Sequence, residues 1–290
     1  MPDQHRVVPA PFLMTLLLSL LGLMAASETV ASDPSPQGAT TATVASSSRK
    51  PGSKPIGPYG QNAAQYRLTF SDEFDGDTLN TRIWNDREWY DPVFPTPNYA
   101  VEGGRLKIWP QRDANGNFFK RVINTDEKFY QQYGFFEIEA KLPHGKGVWP
   151  GFWLYNHDHA GNVRPEIDVV EAFPGGGPES GWSGIALRPT AYAITIWTGP
   201  PEVQGGYKML QDLADLSARF HKYAVKWEPH KQTFYLDGKE VYSANVSMPD
   251  RMYLLVSILF GSASGEPDDS TPTGKDNVFE INYVRAWQFK

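Results

Sequence analysis

The stretch RPEIDVVEAFPGG, residues 164 to 176, places three carboxylates within an otherwise apolar and β-branched run. The acids are Glu166, Asp168 and Glu171. Isoleucine, valine and phenylalanine favour a strand, and the proline before the run and the glycines after it bound a segment of strand length. On a regular strand Glu166 and Asp168 share one face, whereas Glu171 points into the core. A carboxylate buried there without a partner would be costly, so a regular strand is disfavoured.

A β-bulge resolves this conflict, because it inserts one unpaired residue and restores the face of every residue after it. We predict the bulge at Val169 or Val170. All three acids then project from one surface, where their mutual repulsion raises the pKa of at least one of them.

Other parts of the chain also alternate between apolar and polar residues, as strands do. These stretches are FFEIEAKL (135–142), KYAVKWEP (222–229), QTFYLDGKEVYSA (232–244) and VFEINYVRAWQF (278–289). The pair Asp237-Gly238 predicts a two-residue hairpin turn. The one helix candidate is QDLADLSARF (211–220), with Asp212 as its cap. Many short strands without alternating helices indicate an all-β sandwich or barrel.

The N-terminal region has the features of an export signal. His5 and Arg6 precede an apolar run at 12–24, which is followed by small residues at 25–27. We therefore predict a signal peptide at 1–31 and a periplasmic or secreted protein with no membrane contact after cleavage; an uncleaved membrane anchor is the alternative. Residues 32–60 are rich in Ser, Thr, Pro and Gly and predict a flexible spacer. Residues 61–290 form the predicted folded domain.

Composition excludes several functional classes. The formal net charge of -6 argues against a nucleic-acid partner. The chain has no cysteine, so it has neither disulfides nor thiolate chemistry. His157-Asp158-His159 offers two histidines without a third placed ligand, which favours a solvated turn over a metal site. We expect a monomer that needs no metal or cofactor.

Two carboxylates made unequal by their surroundings are the groups that glycoside hydrolysis requires. In the retaining form of that reaction the two groups lie roughly 5–5.5 Å apart, and one attacks while the other protonates the leaving oxygen. A solvated or calcium-binding acidic strand is equally compatible with the spacing alone.

The run EIDVVE resembles the bulged ExDxxE signature of glycoside hydrolase family 16, which includes laminarinases, agarases and related endo-acting β-glycanases. Four ordered blocks extend the resemblance over about residues 66 to 290: SDEFDGDTLNTRIWN (71–85), YGFFEIEAKLPHGKGVWPGFWLY (133–155), FHKYAVKWEPHKQTFYLDGKEVY (220–242) and INYVRAWQF (281–289). The resemblance implies a β-jelly-roll of two antiparallel sheets with a cleft across the concave one. It also implies that Glu166 is the nucleophile, Glu171 the general acid/base, and Asp168 the residue that holds the nucleophile.

Aromatic rings bind the apolar faces of sugars and lose little conformational entropy. The family resemblance assigns Trp149 and Trp153 to the cleft beside the catalytic strand, although a core position for Trp153 is equally compatible with the sequence. Further candidates for substrate binding are Trp182, Trp197, and Trp89 and Asn98 in the loop REWYDPVFPTPNYA. Tryptophans within strand-like runs are assigned to the core: Trp84, Trp227 and Trp287.

The chain also departs from the family pattern. Arg164 stands where lichenase-type members have a tryptophan, and the loop at 260–269 lacks the usual laminarinase tryptophan. These differences weaken the case for laminarin or lichenan as substrate. Arg164 and Arg188 raise the hypothesis of an anionic group on the polysaccharide. Asn282 replaces the aspartate with which many members bind calcium, which weakens the case for a calcium site.

The sequence therefore predicts an exported, retaining endo-β-glycosidase that acts on a β-linked polysaccharide. A transglycosylase on the same scaffold and a non-catalytic carbohydrate-binding lectin are the alternatives. A lectin has no use for an acid pair with a raised pKa, whereas a transglycosylase shares the first chemical step.

Overall fold

The alternating stretches form strands, as predicted. The computed structural model describes residues 44–46, 56–157, 165–176, 189–198 and 203–290. Helical structure in these residues consists of two short 3-10 turns, Ala63–Gln65 and Ser262–Ser264. None of the described helices has the length and hydropathy needed to cross a bilayer.

The described strands form two sheets, in which all neighbours are antiparallel except the parallel pair Val44–Ser46 and Tyr66–Asp72. The larger sheet has nine strands: β1 (Val44–Ser46), β2 (Tyr66–Asp72), β3 (Tyr99–Val101), β4 (Leu106–Ile108), β6 (Gly134–Lys141), β11 (His221–Glu228), β12 (Lys231–Leu236), β13 (Lys239–Ala244) and β15 (Phe279–Phe289). Its main path runs β1-β2-β15-β6-β11-β12-β13. Off this path, β4 pairs with β15 and β3 pairs with β4.

The smaller sheet has six strands: β5 (Arg121–Asn124), β7 (Val148–Tyr155), β8 (Glu166–Ala172), β9 (Tyr192–Thr198), β10 (Val203–Leu210) and β14 (Tyr253–Phe260). Their order in the sheet is β10-β9-β8-β7-β14-β5. The acid-bearing strand β8 therefore lies inside this sheet, with a neighbour on each side.

The core lies between the two sheets. Phe136 and Ile138 of β6 are fully buried in the same apolar cluster as Phe152 and Leu154 of β7. Trp84 and Trp227 also belong to this cluster, whereas Trp287 is buried in a smaller cluster with Phe135. All three tryptophans assigned to the core are fully buried. The sheets pack face to face, and the predicted all-β jelly-roll sandwich is confirmed.

The chain just before β2 crosses the outer face of the nine-stranded sheet. The indole of Trp287 donates to the carbonyl of Ile56 at 2.8 Å, and the amide of Tyr59 donates to Glu137 Oε2 at 3.1 Å. Glu137 is buried and also accepts from the hydroxyl of Tyr283 at 2.9 Å. Residues 56 to 60, which lie in the predicted spacer, are thus held against the sheet.

The predicted helix at 211–220 is wrong. The amide of Leu213 donates to the carbonyl of Thr190, and the amide of Leu216 donates to the carbonyl of Pro189, so these donors are not available to a helix. Leu216 is buried in the core. Tertiary contacts with the start of β9 therefore override the local helical pattern.

The predicted hairpin turn between β12 and β13 is confirmed. Asp237 has a φ of 50° and Gly238 a φ of 76°. Two consecutive positive φ angles are the mark of a type I′ turn, whose twist matches that of paired strands.

Gly134 at the start of β6 provides a test of the fold. It has a φ of 124°, and a Cβ there would lie 2.0 Å from the carbonyl oxygen of Trp287. Gly104 has a φ of 71° but would meet nothing within 4 Å. We expect Gly104→Ala to lower the free energy of unfolding by about 1 kcal/mol and Gly134→Ala by roughly 3 kcal/mol or more. Urea denaturation measures both, and equal losses would contradict the packing described.

Candidate active site

A β-bulge interrupts the pairing of β8 with β7. Phe152 pairs with Val170, and the next residue, Trp153, pairs with Asp168. Val169 therefore has no partner on β7 and is the extra residue. The bulge predicted from the spacing of the acids is confirmed and lies at the first of the two valines.

The bulge brings Glu171 to the face of the other two acids. On β7 the partners of Glu171, Asp168 and Glu166 are Gly151, Trp153 and Tyr155, which alternate regularly and so share one face. The partners on β9, which are Ala193, Thr195 and Trp197, do the same. The acids project from the outer face of the six-stranded sheet, which we call the acid face. The two valines of β8 are buried in the core below it.

Glu171 is partly exposed, and two neighbouring donors hold its carboxylate. The side chains of Trp149 on β7 and Thr195 on β9 both hydrogen-bond to it. Burial raises the pKa of Glu171 to about 7, against the opposing effect of the two hydrogen bonds. A carboxyl group with this pKa is protonated in an appreciable fraction of molecules near neutral pH, so it can act as an acid and later as a base.

Asp168 lies between the two glutamates and is nearly fully buried. Burial raises its pKa well above the ordinary value, and the negative charges of Glu166 and Glu171 raise it further. Asp168 also shares a hydrogen bond with Glu166, which favours the protonated form of Asp168. In that form its carboxyl donates to the carboxylate of Glu166 and fixes its orientation. The predicted rise in pKa within the cluster is thus found at two of the three acids.

Three of the predicted sugar-binding tryptophans lie on the acid face. Trp197 pairs directly with Glu166, and Trp153 pairs with Asp168. The indole of Trp153 donates to the hydroxyl of Ser257 at 3.1 Å. Trp149 contacts Glu171, as described above. All three side chains are partly exposed, so they border the space above the acids.

Trp89 and Asn98 come from the same loop but lie in different surroundings. Trp89 is 73% exposed, which leaves its ring available to a ligand. Asn98 is buried, and its Oδ1 accepts a hydrogen bond from Nε of the buried Arg121 at 2.6 Å. The structure therefore does not support the predicted direct contact between Asn98 and the substrate. A polar residue in a Pro-rich loop has the same sequence signature whether it faces solvent or anchors the loop.

The remaining predicted site residues, Trp182, Arg164 and Arg188, lie outside the described residues, as do Asp158 and His159. Within the described ranges no group of three or more His, Asp or Glu residues is arranged to hold a metal. Asn282, at the position discussed for calcium, accepts from Arg105 Nε at 3.0 Å and donates to Glu139 Oε2 at 3.0 Å.

Several residues near the acids were missed by the sequence analysis. Nothing in the sequence distinguished Thr195 as a site residue, because threonine is common in strands. Tyr207 on β10 pairs with Thr195, and burial together with the charge of Glu171 raises its pKa to about 12. Tyr155 on β7 and Tyr253 on β14 face each other in register beside Glu166. The period-two alternation of Trp153 and Tyr155 along β7 was the sequence signal that Tyr155 lies on the acid face.

A β-sandwich that carries clustered carboxyl groups on one open face is the arrangement of a glycoside hydrolase, and comparison with known proteins agrees with this class. The family model described as Glycosyl hydrolases family 16 matches residues 87–284. The chain belongs to this family.

Among curated proteins, the chain is similar to endo-1,3-1,4-beta-glycanase ExsH of Rhizobium meliloti (strain 1021), with 29% identity over 76% of this chain and 51% of that protein. Endo-1,3-1,4-beta-glycanase EglC of the same organism is 27% identical over the same shares. The chain thus spans about half the length of these two relatives. A glucan endo-1,3-beta-glucosidase of Cryptopygus antarcticus is 28% identical over 76% of this chain and 91% of that protein.

Solved structures share the fold. Porphyranase B from Zobellia galactanivorans has a TM-score of 0.65 at 22% identity, over 82% of this chain and 97% of that one. The catalytic domain of an endo-1,3-beta-glucanase (laminarinase) from Thermotoga petrophila RKU-1 has a TM-score of 0.60 at 22% identity, over 78% and 98%.

The raised pKa of Glu171 makes the free energy of unfolding depend on pH. Because the folded protein binds this proton more tightly than the unfolded chain, stability falls as pH rises from about 4.5 to about 7. Glu171→Gln removes this loss, so we expect the variant to melt a few degrees above the wild type at pH 8 and close to it at pH 4. Calorimetry at both pH values measures the difference, with the exposed Glu240→Gln as control. An equal shift in melting temperature at both pH values would contradict a raised pKa of Glu171 in the folded protein.

Proposed function

We propose that this protein is a retaining, endo-acting β-glycosidase that hydrolyses a β-linked polysaccharide. The observation that carries the proposal is the bulge at Val169, which places Glu166, Asp168 and Glu171 on one partly open face. Membership of a family of glycosyl hydrolases supports the same reaction class. No cofactor is required, because the carboxyl groups supply both the nucleophile and the proton.

In the first step Glu166 attacks the anomeric carbon, and the bond to the leaving oxygen breaks as Glu171 transfers its proton to that oxygen. Protonated Asp168 donates a hydrogen bond to Glu166 and keeps one oxygen of the nucleophile fixed. In the second step the carboxylate of Glu171 removes a proton from water, and the resulting hydroxide displaces Glu166 from the sugar. Thr195 and Trp149 hold Glu171 in place through both steps.

The tryptophans of the acid face fit the sugar rings on each side of the scissile bond. Trp197 flanks Glu166 on β9, and Trp153 flanks Asp168 on β7. Flat rings on both neighbouring strands would bind the apolar faces of adjacent sugars with little loss of side-chain entropy. Trp149, which hydrogen-bonds to Glu171, would lie beside the leaving group.

The names of the relatives favour a β-1,3- or mixed β-1,3-1,4-linked glucan as the first substrate to test. The hypothesis that Arg164 and Arg188 meet an anionic group stays a prediction, and an acidic exopolysaccharide belongs in the same panel. We also propose that the protein acts as a monomer and is exported. The N-terminal sequence supports export, and cell fractionation with and without residues 1–31 tests it.

The reaction class is tested with the wild type and two variants. We expect the wild type to cut a member of the panel internally and to release a product whose first-formed anomer is β, as NMR during the first turnovers detects. Glu166→Gln and Glu171→Gln are expected to lower kcat by roughly 1,000-fold or more, because Glu166 forms the bond to the anomeric carbon and Glu171 transfers the proton to the leaving oxygen. Glu240→Gln, an exposed glutamate on β13, serves as the matched control.

Other outcomes of that experiment identify the alternatives. A first-formed α anomer would overturn the retaining mechanism. Transfer of the glycosyl unit to an added sugar acceptor in place of water would identify a transglycosylase. Tight binding without any product, unchanged by Glu166→Gln, would identify a lectin.

The pH profile tests the role of Glu171. Since the first step needs its protonated form, we expect kcat/KM to fall as pH rises above about 7. Thr195→Val removes a hydrogen bond that lowers this pKa, so the fall should move to higher pH, whereas Thr195→Ser should keep the wild-type profile. Initial rates between pH 4 and pH 10 measure the shift. Identical profiles for the valine and serine variants would contradict the assignment.

A further inference from the structure

The 3-10 turn Ser262–Ser264 joins the two strands that carry Glu171 and its indole partner. The backbone amide of Gly147, just before β7, donates to the carbonyl of Ser264 at 2.8 Å. The amide of Gly175, just after β8, donates to the hydroxyl oxygen of the same serine at 3.1 Å. Ser264 is fully buried, so both bonds are shielded from water. One serine therefore fixes the start of β7 relative to the end of β8.

The surrounding backbone leaves this attachment little freedom. The amide of Gly261 donates to the carbonyl of Gly147 at 3.0 Å, so the turn is bonded to the start of β7 in both directions. A Cβ on Gly175 would lie 2.2 Å from the Cα of Lys146, so the chain after β8 also packs directly on the backbone before β7. These three segments meet in close contact at the end of the sheet nearest Glu171.

Phe173 extends the attachment to Trp149. The two rings lie with their centroids 5.7 Å apart and their planes at 38°. Phe173 is buried in a small apolar cluster with Ala193 of β9 and Ala263 of the turn, and Trp149 packs against this cluster. Because Ala263 belongs to the 3-10 turn, the turn supplies part of the surface on which the indole rests.

The orientation of this indole matters for Glu171. An indole has one hydrogen-bond donor, the Nε1–H group, so its bond to a carboxylate depends on how the ring is turned. That bond lowers the pKa of Glu171 and opposes the effect of burial, as does the bond from Thr195. A tilt of the ring would weaken the bond from Trp149 and leave the one from Thr195 on β9 in place.

We propose that Ser264 and Phe173 are positioning residues that hold the indole of Trp149 in contact with Glu171. The inference rests on the proposed function, in which Glu171 is the acid and the base. It adds two residues that act on Glu171 only through Trp149. Both lie outside the sequence blocks that resemble the family, in the loops that follow β14 and β8.

The pKa of Glu171 tests this role without turnover. Carbon-13 NMR of the glutamate carboxyl groups measures it, with the signal of Glu171 identified by its absence in Glu171→Gln. We expect Ser264→Ala and Phe173→Leu each to move the titration midpoint upward by roughly 0.5 pH unit or more, because the bond from Trp149 is weakened. Ser262→Ala, an exposed serine of the same turn, is the matched control and should leave the midpoint unchanged.

The sign of the change separates positioning from a merely structural role. A loop that is only loosened admits water, which reduces the burial that raises the pKa of Glu171 and moves the midpoint downward. An unchanged or lowered midpoint in either folded variant would overturn the role of the residue substituted.

A double variant tests whether the effect passes through Trp149. Trp149→Phe keeps a ring against Phe173 but removes the donor, so it should raise the midpoint by itself. In that background Ser264→Ala should add little, because the bond that it weakens is already absent. Shifts that add in full would overturn the route through Trp149.

Failure of this inference and failure of the proposed function give different results. If the panel gives products, the fall of kcat/KM at high pH should move with the NMR midpoint in Ser264→Ala. A raised midpoint in Ser264→Ala without any product from the wild type would overturn the hydrolase but support the positioning role. Products with an unchanged midpoint would support the hydrolase and overturn the positioning role.

Discussion

A strand sends alternate side chains to opposite faces, and the acid cluster depends on one interruption of that rule. Without Val169 as an unpaired residue, Glu171 would point between the sheets among the side chains that surround Ile167 and Val170. With it, the same strand keeps an apolar lower face for the core and gathers three acids above. One extra residue thus reconciles the demands of packing with those of chemistry.

The sheet around the bulge sets the charge of the acids as well as their positions. Asp168 and Glu171 both have raised pKa values because burial disfavours the ionised form, and the charges of Glu166 and Glu171 raise the pKa of Asp168 further. Thr195 and Trp149 oppose this at Glu171 alone. The carboxyl groups of one strand therefore differ in their surroundings, which is the asymmetry that acid–base chemistry uses.

Much of the acid cluster could be predicted from the sequence, because the face to which a strand side chain points depends only on the number of residues along that strand. The count of residues between Glu166 and Glu171 was sufficient to predict the bulge, and the positions of Trp153 and Trp197 on their strands agree with the predicted cleft. The strand pattern indicated a sandwich or barrel, and the resemblance to a known family narrowed this to a jelly-roll of two antiparallel sheets. Non-local contacts could not be predicted in the same way.

Particular residues show where that limit lies. Asn98 lies in a loop with exposed aromatic rings, yet Arg121 from a distant strand draws it into the interior. The segment at 211–220 has a helical pattern, but two of its amides pair with the chain that enters β9. The contact between Asp126 and His157 joins residues far apart in sequence, and the motif around His157 gave no sign of this partner. Each case depends on a partner that the local sequence does not reveal.

The attachment of Ile56 and Tyr59 has a practical meaning for handling the protein. These residues are fixed to the nine-stranded sheet through Trp287 and Glu137, on the side of the sandwich away from the acids. A bead, surface or fusion partner joined to the chain just before Ile56 would therefore be attached on the face of the domain opposite the acids. Immobilisation by that route leaves the acid face turned towards solution, where a bulky insoluble polymer can approach it.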